Sequence, residues 1–354
     1  MAALPVVAML AGRWAHGGYV GGDGVDEARF VELGGIDQYV RWRGRNRSAP
    51  LLVFLHGGPG FPVTYLGHRF EPSLVDDFVV VHWEQRGAGR TWHRNPELDS
   101  ASVSLPDLVA DLDALLDLLD TEFPDQPVVL VGQSWGSVLG LTYIAEHPHR
   151  VDGYIGVGQV VDFDEGKRLA ALRAADRLPA GSEARAELLA LRDAFTEDAA
   201  RGHVDPETTA TLIVSSLEHL PAGDQLTSPH QIWLGLTSPD LSVQDARWFL
   251  TATDTATIFA LERRLVLTMY LDFAAADLGP RHATPIAAIQ GEVDWITPTE
   301  MVRTWAAELD PPAVVTEIPG AGHTPFLDAP DAFADAVRGH ARSFGVLGPQ
   351  HRSH

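Results

Sequence analysis

The densest chemical signal in the chain is Gly132-Gln133-Ser134-Trp135-Gly136-Ser137, which follows the apolar run Val128-Val129-Leu130-Val131 and precedes a helical pattern from Val138. Gly-x-Ser-x-Gly between a strand and a helix is a nucleophile elbow. The chain turns sharply, the glycines relieve the crowding, and the serine hydroxyl is held out at a helix N-terminus. A serine needs a base, and the base needs an orienting carboxylate; after such an elbow the order along the chain is acid, then histidine. Gly291-Glu292-Val293-Asp294 follows a strand pattern at Thr284 to Gln290 and offers two acids. Asp294, deeper in the loop and just before Trp295 and Pro298, is preferred over Glu292. The base is His323, in Gly320-Ala321-Gly322-His323 after the strand Val314 to Ile318, where glycines leave the loop able to reach Ser134.

Attack on a carbonyl also needs donors for the developing oxyanion. His56-Gly57-Gly58-Pro59-Gly60 directly follows the strand Leu51 to Leu55, and its glycines let a backbone N–H approach a substrate oxygen. Trp135, the residue after the nucleophile, is expected to supply the second N–H. Gly57 is a substrate-facing candidate in the same loop. Glu84-Gln85-Arg86-Gly87-Ala88-Gly89 also follows a strand, but a dinucleotide fingerprint would need a third glycine where Trp92 stands. His147, His149, His340 and His351 have no metal-binding spacing, and cysteine is absent, which excludes disulfides, thiolate chemistry and Cys-based zinc sites.

These groups must be positioned by the 354 residues around them. Arg29 to Leu33, Gly34-Gly35 and Ile36 to Arg43 read as a β-hairpin. The short apolar runs Leu51–Leu55, Phe78–Val81, Val128–Val131, Tyr154–Val157 and Pro285–Ile289 suit strands buried on both faces of a parallel sheet. Helical patterns alternate with them. Ser104-Leu105-Pro106-Asp107 is a capping signature ahead of a stripe at 108, 109, 112, 115, 116 and 119, and further helices are expected at Pro298–Leu309 and Asp331–Phe344. This alternation predicts an α/β fold. Between Val160 and Asp277 the strand rhythm stops. That block carries helix-like stretches such as Ser182 to Arg201, with Ser182 as N-cap, and the aromatics Trp233, Trp248, Phe249, Phe259 and Tyr270. It reads as a helical insertion over the sheet.

The chain resembles the α/β-hydrolases of the proline iminopeptidase (prolyl aminopeptidase) family. The resemblance is carried by His56-Gly57-Gly58-Pro59-Gly60, Gln85-Arg86-Gly87-Ala88-Gly89, Gly132 to Ser137, Gly291 to Pro298 and Gly322-His323, over about residues 28–160 and 280–345. It implies an α/β-hydrolase fold, with a mostly parallel central sheet flanked by helices and an inserted helical cap. It also implies a Ser134–Asp294–His323 triad, with Gly58 and Trp135 holding the oxyanion. In that family, acidic residues of the cap recognise the substrate's N-terminal amine and an aromatic-lined pocket holds the proline ring. Two positions depart from the pattern. Glu84 stands where the family usually has Asp, and Gly158-Gln159-Val160-Val161-Asp162-Phe163-Asp164-Glu165 lacks the Leu-Arg-Gly start of the prolyl enzymes. Asp162, Asp164 and Glu165 are therefore substrate-binding candidates by position only, following a strand at the catalytic end of the sheet.

The expected organisation is an N-terminal extension (1–27), a hydrolase core (28–159 and 278–346), a helical cap (160–277) and a tail (347–354). The expected activity is cleavage of an amide or ester through an acyl-enzyme, as an aminopeptidase releasing N-terminal proline or a similar residue. A carboxylesterase, a lactonase, a tailoring hydrolase of secondary metabolism and a non-catalytic binding module are the alternatives. No metal or organic cofactor is required, and the partner is a small molecule or short peptide. With 26 Lys plus Arg, among them the single lysine Lys167, against 48 Asp plus Glu, the net charge of −22 repels nucleic acid and anionic membranes. Met1 to Gly12 is apolar without a preceding base, unlike a secretory signal, and a cytoplasmic protein is expected. Oligomeric state is left open.

Overall fold

The computed structural model describes residues 20, 23–98, 103–201, 205–220, 229–242, 245 and 273–348. Eight strands form one sheet: β1 (Val25–Leu33), β2 (Ile36–Gly44), β3 (Leu51–Leu55), β4 (Val79–Glu84), β5 (Val128–Gln133), β6 (Gly153–Val157), β7 (Ile286–Gly291) and β8 (Val314–Ile318). Their order is β1-β2-β4-β3-β5-β6-β7-β8. The β1–β2 and β2–β4 pairs are antiparallel and the others parallel. This is the mostly parallel α/β sheet that the strand and helix alternation predicts. The hairpin forms as expected, but β1 begins at Val25, three residues before the expected core boundary.

The central strands are apolar throughout because both faces are covered. In β3, Leu51, Val53 and Leu55 join one core cluster, whereas Leu52 and Phe54 join the cluster on the opposite face. On the first face pack α2 (Leu105–Glu122) and α3 (Trp135–Glu146), which come after a short α1 (Gly89–Arg94). Helix α2 starts where predicted: Ser104 accepts from Asp107 N, Ser104 N donates back to the Asp107 carboxylate at 3.0 Å, and the predicted stripe from Leu108 to Leu119 is buried. Such a cap is worth about 1 kcal/mol.

After β6 the chain enters α4 (Phe163–Asp176), α5 (Glu183–Ala200), α6 (Pro206–Leu217) and α7 (Pro229–Leu236). Ser182 caps α5 as expected. Ala171, Ala174 and Ala175 of α4 pack with Leu188, Phe195, Leu212 and Leu220 in a core of their own. The helical block leaves and rejoins the sheet at one point, where Ala275 N donates to Val161 O at 2.7 Å and Asp162 bridges Ala274. The sheet then resumes with β7, α8 (Thr299–Glu308), β8, α9 (Pro325–Asp328) and α10 (Pro330–Ser343). Both predicted C-terminal helices are present. Trp233 is 56% exposed, while Trp248, Phe249, Phe259 and Tyr270, most of the N-terminal extension and residues 349–354 lie outside the described residues. Among the described residues no helix is long and apolar enough to cross a membrane.

Candidate active site

The nucleophile candidate is positioned by strain that its surroundings maintain. Ser134 has φ +52° and ψ −119°, a conformation that costs a non-glycine residue roughly 1–2 kcal/mol. Its N–H donates to Val157 O at 2.9 Å, and its carbonyl accepts from Ser137 N at 2.8 Å and Ser137 Oγ at 2.5 Å. The flanking glycines are required by close approach. A Cβ on Gly136 would lie 2.0 Å from Leu55 O, and one on Gly132 would lie 2.5 Å from Gly136 O. Trp135 opens α3, and its indole is fully buried, so it can address a substrate only through its backbone N–H.

The candidate acid and base lie in contact. His323 Nδ1 lies 3.0 Å from Asp294 Oδ2 and 3.2 Å from Oδ1, and both side chains are buried. Asp294 also accepts from Ile296 N and Thr297 N at 3.0 Å and from Thr297 Oγ1 at 2.7 Å. Burial pushes its carboxyl up in pKa. The charge of His323, together with hydrogen bonds from His323 and Thr297, outweighs burial and holds it below the ordinary carboxylate value. Glu292 instead accepts from Gly320 N at 2.9 Å, bracing the histidine loop. The imidazole is flanked by Gly158 (φ +55°), where a Cβ would approach His323 Cε1 and Nδ1 to 3.0 Å.

Gly57 and Gly58 lie beside the serine. A Cβ on Gly57 would meet Gln133 Oε1 at 2.4 Å and Ser134 Cβ at 3.0 Å, and Gly58 has φ +117°. The loop is tied down by His56, whose Nε2 accepts from Gln85 N at 3.1 Å and whose Nδ1 lies 2.9 Å from Gly57 O. Burial lowers the His56 pKa to about 4, so the ring is neutral at pH 7, with Nδ1 as the donor. Two motifs that sequence reading takes separately are thus one lock. Glu84, the departure noted above, is buried at its edge, accepting from Arg90 N at 2.5 Å and pairing with the Arg90 guanidinium. Burial raises its pKa against the opposing charge of Arg90.

Ser134, His323, Gly57 and Gly58 line one chamber of about 140 Å³. Its walls are mainly apolar, including Phe61, Leu66, Phe163, Leu212 and Phe326, and among its described lining residues Lys167 carries the one Lys, Arg, Asp or Glu charge. The three acidic candidates fare differently. Asp162 caps α4, accepting from Glu165 N at 2.8 Å, and lines a small cavity of about 20 Å³ that Ser134 also borders. Glu165 is paired with Arg168, and neither Glu165 nor Asp164 is among the lining residues of either cavity. Sequence reading assigns no site role to Gly158, Thr297 or Lys167: Gly158 meets His323 and Lys167 reaches the chamber only in the folded chain, whereas the Thr297 contact to Asp294 lies within three residues and is open to a reading of the turn. Among the described residues there is no group of three His, Asp or Glu that could hold a metal ion.

Comparison with known proteins agrees with this architecture. The model of a family described as alpha/beta hydrolase fold matches residues 50–330. The chain is 25% identical over 328 residues to a probable aminopeptidase of Bacillus subtilis, spanning 88% of this chain and 95% of that protein. It is 32% identical over 126 residues to the proline iminopeptidase of Neisseria gonorrhoeae, spanning 36% of this chain and 38% of that protein. Among solved structures, a proline iminopeptidase-related protein of Thermus thermophilus superimposes with a TM-score of 0.60 at 21% identity, covering 91% of this chain and all (100%) of that one.

Proposed function

The chain belongs to the α/β hydrolase fold family, and on that premise we propose that it is a serine hydrolase that opens an amide or ester bond through an acyl-enzyme on Ser134. The observation that carries this reading is the strained Ser134 sharing one chamber with His323, whose far ring nitrogen is 3.0 Å from a buried Asp294 carboxylate. His323 takes the Ser134 proton as Oγ attacks the carbonyl carbon. Asp294 fixes the imidazole tautomer and stabilises its cation, and the N–H groups of Gly58 and Trp135 bind the oxyanion. Collapse expels the leaving group, which receives the proton from His323. Water, deprotonated by the same imidazole, then attacks the acyl carbon and frees the acid and Ser134.

The finer reading is an aminopeptidase resembling proline iminopeptidase, acting on a small molecule or short peptide and releasing N-terminal proline or a similar residue. The relatives' names support it, and so does the size of the chamber. An apolar protein cavity of about 150 Å³ accommodates benzene, so a chamber of about 140 Å³ suits a single ring. A second reading, a carboxylesterase, lactonase or tailoring hydrolase, is favoured by the absence of a carboxylate among the described chamber-lining residues, since an unpaired ammonium is costly to bury.

The test is covalent labelling of Ser134 by an aryl phosphonate, together with Ser134→Ala. The variant should fold normally and lose about 10⁴-fold or more in kcat; wild-type turnover in it would refute the assignment. Turnover of proline arylamide above that of aryl esters supports the aminopeptidase, and the reverse ranking supports the esterase.

A further inference from the structure

Outside the chamber, a buried ionic cluster joins the cap to the core. Arg41 and Arg43 project from β2 and Arg90 from α1, with Glu71 and Glu84 among them. Arg41 pairs with Glu71, and Arg43 Nη1 lies 3.1 Å from Glu71 Oε2. His82 Nε2 is 2.8 Å from Glu71, and burial with the neighbouring arginines lowers the His82 pKa well below the ordinary value, so it is neutral at pH 7. These five charged core groups are three cations and two anions. Beyond α7, Asp240 and Asp245 add two further anions. Asp240 pairs with Arg41 and lies 2.8 Å from Arg43 Nη2. Asp245 Oδ1 lies 3.2 Å from Arg90 Nε, and Arg90 Nη2 donates to Asp240 O at 2.7 Å. Asp26, at the rim, lies 2.9 Å from Arg43 Nε.

The cluster reaches the chamber through one helical turn, Thr64–Arg69. Arg41 Nη1 donates to Thr64 O at 3.3 Å. Gly67 lies so close that a Cβ there would meet Glu71 Oε1 at 2.0 Å and Arg41 Nη2 at 2.6 Å. Between these contacts stand Tyr65 and Leu66, both chamber-lining, and Tyr65 shares a hydrophobic cluster with Leu234 of α7. We infer that Asp240 and Asp245 are positioning residues: they clasp the cap strap to the arginines of the core and thereby fix the Tyr65–Leu66 wall against which substrate binds. This rests on the reading of the chamber as the substrate site of a Ser134 hydrolase. The clasp touches neither Ser134 nor His323, so it acts on binding and leaves the chemical step alone.

The experiment measures saturation kinetics of Ser134 labelling by an aryl phosphonate in the full-length wild type, Asp240→Asn and Asp245→Asn, each checked by thermal melting. Coupling through packed elements is worth roughly 0.5–2 kcal/mol, so the inhibition constant is expected to rise about tenfold. The maximal labelling rate is expected to stay within about twofold of wild type, because its chemistry uses only the elbow and the imidazole. A small methylphosphonate, which has no aryl group to lie against the wall, should label the variants as fast as wild type. An unchanged inhibition constant in a folded variant overturns the proposal, whether or not the melting temperature falls; a fall alone means that the pairs only add stability. A drop in maximal rate with the constant unchanged overturns it as well. If Asp240→Asn does not fold, Asp245→Asn, with its less buried carboxylate, decides alone. Failure of the wild type to be labelled refutes the serine hydrolase reading instead, which separates the two failures.

Discussion

Replacing Gly158 by alanine tests whether the flank of the imidazole is part of the catalytic geometry. The perturbation has two components that different measurements read. Alanine at φ +55° costs roughly 1–2 kcal/mol in backbone strain. At about 2.1 cal/mol/K per residue, that lowers the melting temperature by roughly 1–3 °C for a chain of this length. The second component is steric. The new methyl would stand 3.0 Å from His323 Cε1 and Nδ1 and 3.4 Å from Asp294 Oδ2, so the ring must yield by a few tenths of an ångström. A displacement of about 1 Å costs about 100-fold in rate, and a few tenths therefore about tenfold. Because the ring moves relative to Ser134 while the chamber wall stays intact, kcat should fall about tenfold with KM within about twofold. Steady-state kinetics on an aryl ester or proline arylamide, beside a thermal melt, measures both components. A kcat within twofold of wild type, together with the predicted loss of melting temperature, would refute the argument that Gly158 keeps the imidazole in place.

The two candidate acids and the buried histidines carry the remaining predictions. Asp294→Asn should lower kcat by about 10³–10⁴-fold, because an amide no longer favours the tautomer with its proton on Nδ1. Glu292→Gln, which alters only the brace to Gly320 N, should stay within about threefold; equal losses would contradict the choice of acid. Stability should decline on acidification from about pH 6.5 to about pH 4. The folded protein holds His56 unprotonated until about pH 4, whereas the unfolded chain takes up that proton near the ordinary histidine value of 6.5. The unfolded state thus binds more protons in this window, and stability falls at up to about 1.4 kcal/mol per pH unit for this one group. His82, lowered by burial and by Arg41, contributes with the same sign. Urea unfolding at pH 7, 6, 5 and 4 measures the slope, and a flat profile would contradict a buried neutral pair of imidazoles.

Much of the architecture is local chemistry and can be read from order in the chain. The alternation of buried apolar runs with helical stripes already describes a parallel sheet between helix layers, because a strand covered on both faces must be apolar at successive positions. The elbow at Ser134 declares itself through Gly132 and Gly136, whose missing side chains make room for Leu55 O and Gly136 O. Ser104 and Asp107 mark the start of α2 for the same reason: the hydrogen bonds they satisfy lie within three residues.

What depends on groups far apart in sequence was decided only by the folded chain. Position in the loop favours Asp294 over Glu292 but gives neither a partner; the turn at Ile296–Thr297 points one carboxylate at His323 and leaves the other on Gly320 N. Asp162, Asp164 and Glu165 look like a cluster near the catalytic edge, yet helix α4 commits Asp162 to its own N-terminus and Glu165 to Arg168. Asp240 and Asp245 give no signal at all until the strap lies against Arg41, Arg43 and Arg90. Sequence periodicity and turn chemistry act over a few residues, so they determine which elements form and where the candidate nucleophile stands. The partners of a charged side chain are chosen by packing across the whole chain, since a buried carboxylate is stable only where a distant cation meets it.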